Sequence, residues 1–253
     1  MKKKAVILLN LGGPDSLAAV RPFLYNLFSD REIIRLGPSF MQKPLAFLIS
    51  TIRTPKTRKA YSLIGGRSPI LQITRMQAEK LHRALEPHGE FKVYVGMKYW
   101  HPFIKDAIRE AIEDGAEMII GLSLYPQYSK ATTGSTKRDF DYEIAKHRIP
   151  VVRFIKSWYN HPLYIQAMKE LILEKIRGLD TKDFHLLFSA HSLPVSFIKE
   201  GDPYEKEIHG TVEAIVNALK DSIQEIPVYS ISYQSRTGPV KWLGPSTDEE
   251  IIR

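Results

Sequence analysis

Apolar positions along the chain fall into short continuous runs separated by amphipathic stretches. Ala5 to Leu11 (AVILLNL) is apolar almost without a break and ends in Gly12-Gly13-Pro14. A strand buried on both faces of a parallel sheet reads this way, with a tight turn behind it. Asp15 or Ser16 is placed to cap the helix that follows. Phe91 to Gly96, Met118 to Leu124 and Val151 to Ile155 predict three more strands. Helical periodicity covers 71–85 and 103–114 between them, the βαβ alternation of a parallel sheet.

The pattern then restarts. Residues 162–177 read as a helix, His185 to Ala190 as a strand, 204–224 as a long amphipathic helix and Val228 to Tyr233 as a strand. A Gly-, Pro- and Ser-rich loop covers 234–246, and Asp248 to Arg253 begins a further helix. A parallel sheet of two strands leaves both edges open. The two late strands therefore either join the first sheet or belong to an incomplete second unit, and the second reading is preferred. The division expected is 1–160 and 161–253.

Composition narrows the class. Of 253 residues, 43% are hydrophobic and 25% charged, the balance of a soluble globular protein. With no cysteine, the chain has no disulfide, thiolate metal site, cysteine nucleophile or cysteine-held iron–sulfur cluster. The net charge of +8 favours anionic partners. Its densest cluster, Arg53, Lys56, Arg58 and Lys59, is too short for a nucleic-acid arm. The apolar run behind Lys2 to Lys4 is too short for a signal peptide, and no run reaches the roughly 20 residues of a membrane span.

In open parallel sheets, ligands bind beyond the carboxyl ends of the strands. Those positions hold Asn10 to Pro14, Lys98-Tyr99-Trp100-His101, Tyr125 to Ser129, Ser189-Ala190-His191-Ser192 and Tyr233-Gln234-Ser235. The set is rich in aromatics and poor in acids, which suits a large, flat, apolar ligand with a polar handle. Nucleotide binding fits worse, because neither GxGxxG nor GxxxxGK[ST] occurs. Thr132 to Ser135 reads either as an anion cradle or as a polar turn before a helix. His185 and His191 stand roughly 20 Å apart along an extended chain, too far to share a metal. His191 is a lone candidate at a strand end. Ser192 is a weak nucleophile candidate, since its surroundings are not GxSxG.

Eight segments, in order and at matching spacing, resemble the ferrochelatase family: LLNLGGP (8–14), RTPK (53–56), YSLIGGRSPI (61–70), GMKYWHP (96–102), LYPQYSKATTGS (124–135), FSAHSLP (188–194), GDPY (201–204) and YQSRTGPVKWLGPSTDE (233–249). They span nearly the whole chain. The resemblance implies an α/β fold of two Rossmann-like parallel-sheet halves facing a porphyrin cleft, the second half incomplete. It implies insertion of ferrous iron into protoporphyrin IX to make haem b, with Fe(2+) as substrate and no cofactor.

Under that resemblance His191 is the catalytic residue, accepting pyrrole protons, ligating the incoming iron, or both; a neutral imidazole suits either role. Arg53, Tyr61 and Ser68 are implied to hold the propionates, with Leu11, Lys98, Tyr99, Tyr128 and Ser129 also lining the porphyrin. Leu11 stands where coproporphyrin-using members commonly carry tyrosine, and Lys98 where many relatives carry arginine, which loses the bidentate fork. The family's essential glutamate lies in a segment beyond Glu249 and Glu250 that the 253 residues do not include. Low activity and poor stability are therefore expected.

Residues 36–52 are dense in apolar groups and fit two readings. One is a lip over the porphyrin mouth that also touches a membrane. The other is a core helix after a loop. The expected setting is cytoplasmic, with peripheral membrane contact and no nucleic acid. The rival functions are a non-catalytic porphyrin- or haem-binding remnant, a coproporphyrin III ferrochelatase, a sirohydrochlorin chelatase and a nucleotide-using enzyme.

Overall fold

The run from Ala5 to Leu9 forms the centre of strand β1 (Lys4–Asn10), where all five residues are at most 5% exposed. The computed structural model describes residues 3–180, 184–223, 225–236 and 240–253. Lys2, the last residue expected of the 204–224 helix and Thr237 to Pro239 of the 234–246 loop lie outside them. The chain divides into two compact units, 1–125 with 130–156, and 126–129 with 157–253.

In the first unit β1 is flanked by β2 (Phe91–Met97) and β3 (Met118–Ser123), and β4 (Val151–Ile155) pairs with β3. All pairs are parallel, in the order β2-β1-β3-β4. Successive side chains of a strand point to opposite faces. Ala5, Ile7 and Leu9 accordingly pack with α4 (Ile104–Glu113) and with Phe140 of α5 (Ser135–Ile144). Val6 and Leu8 pack with Ala78 and Leu81 of α3 (Ile70–Leu85). Helices on both faces explain why β1 reads as unbroken apolar sequence.

The first helix corrects one expectation. Ser16 accepts the Ala19 N–H at 3.2 Å and closes a turn, and α1 (Val20–Ser29) starts only after it. The next helix, α2 (Gln42–Ser62), bears on the core-helix reading of 36–52. Its buried positions are Gln42, Ala46, Ser50 and Thr54, a small and polar stripe at a spacing of four. Phe47, Leu48 and Ile52 are 53–68% exposed, and Phe40 just before the helix is 76% exposed. Large apolar groups thus face outward, while Ala46 and Ile49 pack with Val20 and Phe23 of α1, so the core-helix reading holds for one face of α2 only.

The second unit holds α6 (Pro162–Lys175), β5 (Leu186–His191), α7 (Val195–Lys199), α8 (Tyr204–Lys220), β6 (Tyr229–Gln234) and α9 (Thr247–Ile252). Among the described residues β5 and β6 form their own parallel sheet, so the late strands do not join the first one. Ile165, Ile215 and Leu219 form its core with Leu186 and Phe188. The Leu186 and Ser192 amides donate toward β6, to Val228 and Gln234. Alternation along a strand turns the intervening Leu187 and Ser189 backbone groups to the opposite edge.

The two units repeat one local pattern. Met97 donates to the Pro102 carbonyl at 2.7 Å, and Tyr233 donates to the Pro245 carbonyl at 2.8 Å. The next residues, Phe103 and Ser246, each donate their amide to a carboxylate three residues on, Asp106 and Glu249. With Met97 opposite Asn10 and Tyr233 opposite Ala190, the strand ends align as Asn-Leu-Gly-Gly-Pro (10–14) and Ala-His-Ser-Leu-Pro (190–194). Leu11 and His191 occupy corresponding positions.

Candidate active site

His191 is the last residue of β5 and is solvent-exposed. Its ring lines a cavity of about 470 Å³ with Tyr164, Met168, Ile172, Tyr204 and Ile208 among the other walls. Desolvation by these neighbours lowers its pKa below the ordinary value, so the imidazole is neutral at pH 7. Its backbone carbonyl accepts the Tyr204 hydroxyl at 3.0 Å. Burial pushes that phenol up to about 12, which keeps it a donor. The neighbouring Ser192 is fully buried and donates to the Leu243 carbonyl at 3.1 Å, which removes it as a nucleophile. Among the described residues no three His, Asp or Glu side chains gather around one point.

Tyr128 and Ser129 belong to the same unit. The Ser129 hydroxyl is buried and donates to Asp202 at 3.0 Å. The other Asp202 oxygen accepts the Tyr204 amide at 3.0 Å, fixing the turn into α8.

In the first unit Leu11 follows β1 and is half-buried. Its amide donates to the Asn10 side chain at 2.8 Å, which is itself tied to Thr74 at 3.1 Å. Gly12 has a φ of 83°, a conformation that side chains with a Cβ rarely adopt. A Cβ on Gly13 would stand 2.5 Å from the Ser68 Oγ. Ser68 also donates its amide to the Pro14 carbonyl at 2.8 Å. The two glycines therefore let the loop after β1 and Ser68 approach each other closely, which brings Leu11 and Ser68 into one neighbourhood. Arg53 is exposed on α2 with its guanidinium over the Phe28 ring at 5.4 Å. Tyr61 is half-buried near the end of α2, and burial raises its pKa.

Lys98 and Tyr99 lie in a buried polar network. The Lys98 ammonium stands 3.2 Å from Asp30, bonds Asp139, and donates to the Ser135 carbonyl at 3.2 Å. Asp30 also accepts the Tyr99 hydroxyl at 2.7 Å, the Ser135 hydroxyl at 2.6 Å and the Glu32 amide at 2.9 Å. Burial alone would raise the Asp30 pKa. The Lys98 charge, the two hydroxyls and the amide outweigh it and hold the carboxyl well below its usual range. For Tyr99, burial and the Asp30 carboxylate both push the phenol pKa far up. The network orders the loop after β2 against the loop after β1, because Lys98 and Tyr99 donate to the Asn10 and Leu11 carbonyls at 3.0 Å each.

Sequence reasoning did not pick out Asp30, Asp202, Tyr204 as a side chain, or Glu207. Asp202 and Tyr204 stand in the GDPY segment, which carried no role for either side chain, and the partners of Asp30 and Glu207 lie mostly far off in the chain. Thr132 to Ser135 resolves as the turn reading: Lys130–Gly134 is a π-helical turn leading into α5, with Thr133 bonded to Ser123 at 3.0 Å.

A ferrochelatase family profile matches residues 3–253. A ferrochelatase of Sulfurihydrogenibium sp. is 44% identical over 275 residues, covering 100% of this chain and 79% of its own length. That of Gloeobacter violaceus is 46% identical over 259 residues, covering 99% and 77%. That of Synechocystis sp. is 46% identical over 259 residues, covering 99% of this chain and 65% of its own length. Among solved structures, SirB from Bacillus subtilis with Fe3+ shares the fold at a TM-score of 0.53 and 10% identity, over 99% of this chain and 70% of that one. With the family profile reaching from the third residue to the last, and relatives above two-fifths identity, the chain belongs to the ferrochelatase family.

Proposed function

We propose that this chain inserts ferrous iron into protoporphyrin IX to form haem b. The observation that carries the reading is the His191 imidazole, exposed at the end of β5 and neutral at pH 7. A neutral ring nitrogen accepts a pyrrole proton or donates its lone pair to iron; a protonated one does neither. Arg53, Tyr61 and Ser68 pair with the propionates, the guanidinium as a charge-assisted donor. Leu11 packs on the macrocycle, and its apolar side chain favours protoporphyrin over coproporphyrin III. Tyr128 contributes at the porphyrin site, whereas the Ser129 side chain, fully buried and bonded to Asp202, holds that segment without touching the macrocycle. Lys98 and Tyr99 act through the Asp30 network, which holds the loop carrying Leu11 in place.

Turnover is expected to be low. His191 has no acidic side chain bonded to it among the described residues, and β5 has a single strand partner to fix its position. The exposed Phe40, Phe47, Leu48 and Ile52, beside Lys43 and Arg53, suit contact with an anionic membrane surface that holds an insoluble substrate. Among the described residues no helix is long and apolar enough to cross a membrane. The proposed working site is the cytoplasmic face of such a membrane.

Anaerobic incubation with protoporphyrin IX and Fe(2+), followed by loss of porphyrin fluorescence, tests the reading. Metallation should rise with pH through a midpoint below about 6.5 as the imidazole loses its proton, and His191→Ala should abolish it. Metallation unchanged in His191→Ala refutes the assignment. Tight porphyrin binding with no metallation in the wild type makes the chain a binding remnant instead. Turnover equal to that of the Sulfurihydrogenibium relative overturns the low-turnover expectation.

A further inference from the structure

We infer that Glu207 and Tyr204, on one face at the start of α8, are positioning residues that hold the Tyr128–Ser129 segment and the His191 carbonyl to the same helix. The inference rests on the reading above, in which Tyr128 contributes to the porphyrin site and the buried Ser129 holds that segment. Residues 126–129 have no regular secondary structure of their own, and both flanking stretches belong to the first unit. Their placement therefore depends on the groups that accept their hydrogen bonds.

Those groups lie along α8. Glu207 Oε2 accepts the Tyr128 amide at 2.7 Å and the Ser157 hydroxyl at 2.7 Å. Thr211 Oγ1, one turn on, accepts from the Gln127 side chain at 2.8 Å. Tyr204, one turn back, donates to the His191 carbonyl at 3.0 Å. Asp202 at the start of the helix accepts the Ser129 hydroxyl at 3.0 Å. The spacing 204, 207, 211 puts the three side chains on neighbouring turns of one face. Ser157 also donates to the Pro126 carbonyl at 3.2 Å, and the Trp158 amide donates there at 2.9 Å. Glu207 is thus the shared acceptor for two chain segments that enter this unit separately. Removing it takes the 2.7 Å acceptor from the Tyr128 amide and leaves the Ser157 hydroxyl the longer contact with the Pro126 carbonyl.

Both Glu207 donors are neutral, so the proposal separates an acceptor from a charge. Glu207→Ala should raise amide exchange at Tyr128 about tenfold and weaken protoporphyrin IX binding about tenfold, as a displaced contact residue does. Glu207→Gln keeps an acceptor oxygen and should leave both within about threefold of wild type. Tyr204→Phe, which deletes one oxygen, should lower kcat for metallation about fivefold with KM nearly unchanged. Amide exchange at Tyr128 unchanged in Glu207→Ala overturns the role of Glu207, as does a Glu207→Gln variant as impaired as Glu207→Ala. An unchanged kcat in Tyr204→Phe overturns that of Tyr204. If wild type binds no protoporphyrin, the functional reading fails, while the exchange measurement still decides the positioning role.

Discussion

Replacing Asp30 with asparagine keeps the size of the side chain and removes its charge. In the wild type the Asp30 and Lys98 side chains are 7% and 3% exposed, so the ammonium has almost no water to replace a lost carboxylate. Breaking a buried pair by removing one partner costs about 3–5 kcal/mol. Asp139 remains on Lys98 and is 43% exposed, which reduces the loss to about 2–3 kcal/mol. The asparagine oxygen keeps the Tyr99 and Ser135 hydroxyls, which share one carboxylate oxygen, but its NH2 then faces the Glu32 amide, and that lost acceptor adds about 1 kcal/mol. The sum is about 3–4 kcal/mol, or roughly 6–16 °C in Tm for a unit of this size. Urea unfolding followed by circular dichroism measures it. The pH dependence supplies a second check. A carboxyl held below its unfolded pKa of about 3.9 stabilises the fold above that pH and loses its contribution as the pH falls toward the depressed value. The stability curves of wild type and Asp30→Asn should therefore converge below about pH 4. In a cycle with Lys98→Met, the double variant should be less destabilised than the sum of the singles. A cost under about 1 kcal/mol at pH 7, or additivity in that cycle, refutes the account of the network.

Gly13→Ala places a methyl 2.5 Å from Ser68 Oγ and should cost about 1–3 kcal/mol. Ser68→Gly in the same chain should restore much of that loss, and a Gly13→Ala melt equal to wild type contradicts the close approach. Converting Phe47, Leu48 and Ile52 together to serine should change stability by less than about 0.5 kcal/mol each, because the three are exposed. Co-sedimentation with anionic vesicles should fall at least about tenfold, since each apolar side chain buried contributes about 1.5–3 kcal/mol; an unchanged partition removes the membrane-facing role of α2.

β1 was legible because burial on both faces leaves a continuous apolar signature, and the other strands, less buried, still read as short apolar runs bounded by polar turns. All six appear within a residue or two of their expected bounds. The position of His191 at the end of β5 was legible for a related reason: a parallel strand ends where its apolar run ends. The inward stripe of α2 was not legible, since Ala46, Ser50 and Thr54 look like surface residues until α1 packs on them and Phe47 and Leu48 turn outward. The partners of Lys98 escaped for a reason of distance. Asp30 is 68 positions earlier and Asp139 is 41 later, so no local pattern distinguishes a free cation at a strand end from a neutralised one. The five-residue α7 after Pro194 was also missed, being too short to show a helical period.

The matching strand ends, with leucine at 11 and histidine at 191, have an evolutionary consequence. If one supersecondary piece was copied, a substitution in either copy left the other intact. Each copy could then specialise, one keeping a hydrocarbon where the other gained a base. Within one chain, such a division of labour needs a change in one copy only, whereas two identical subunits would have had to carry the same group twice.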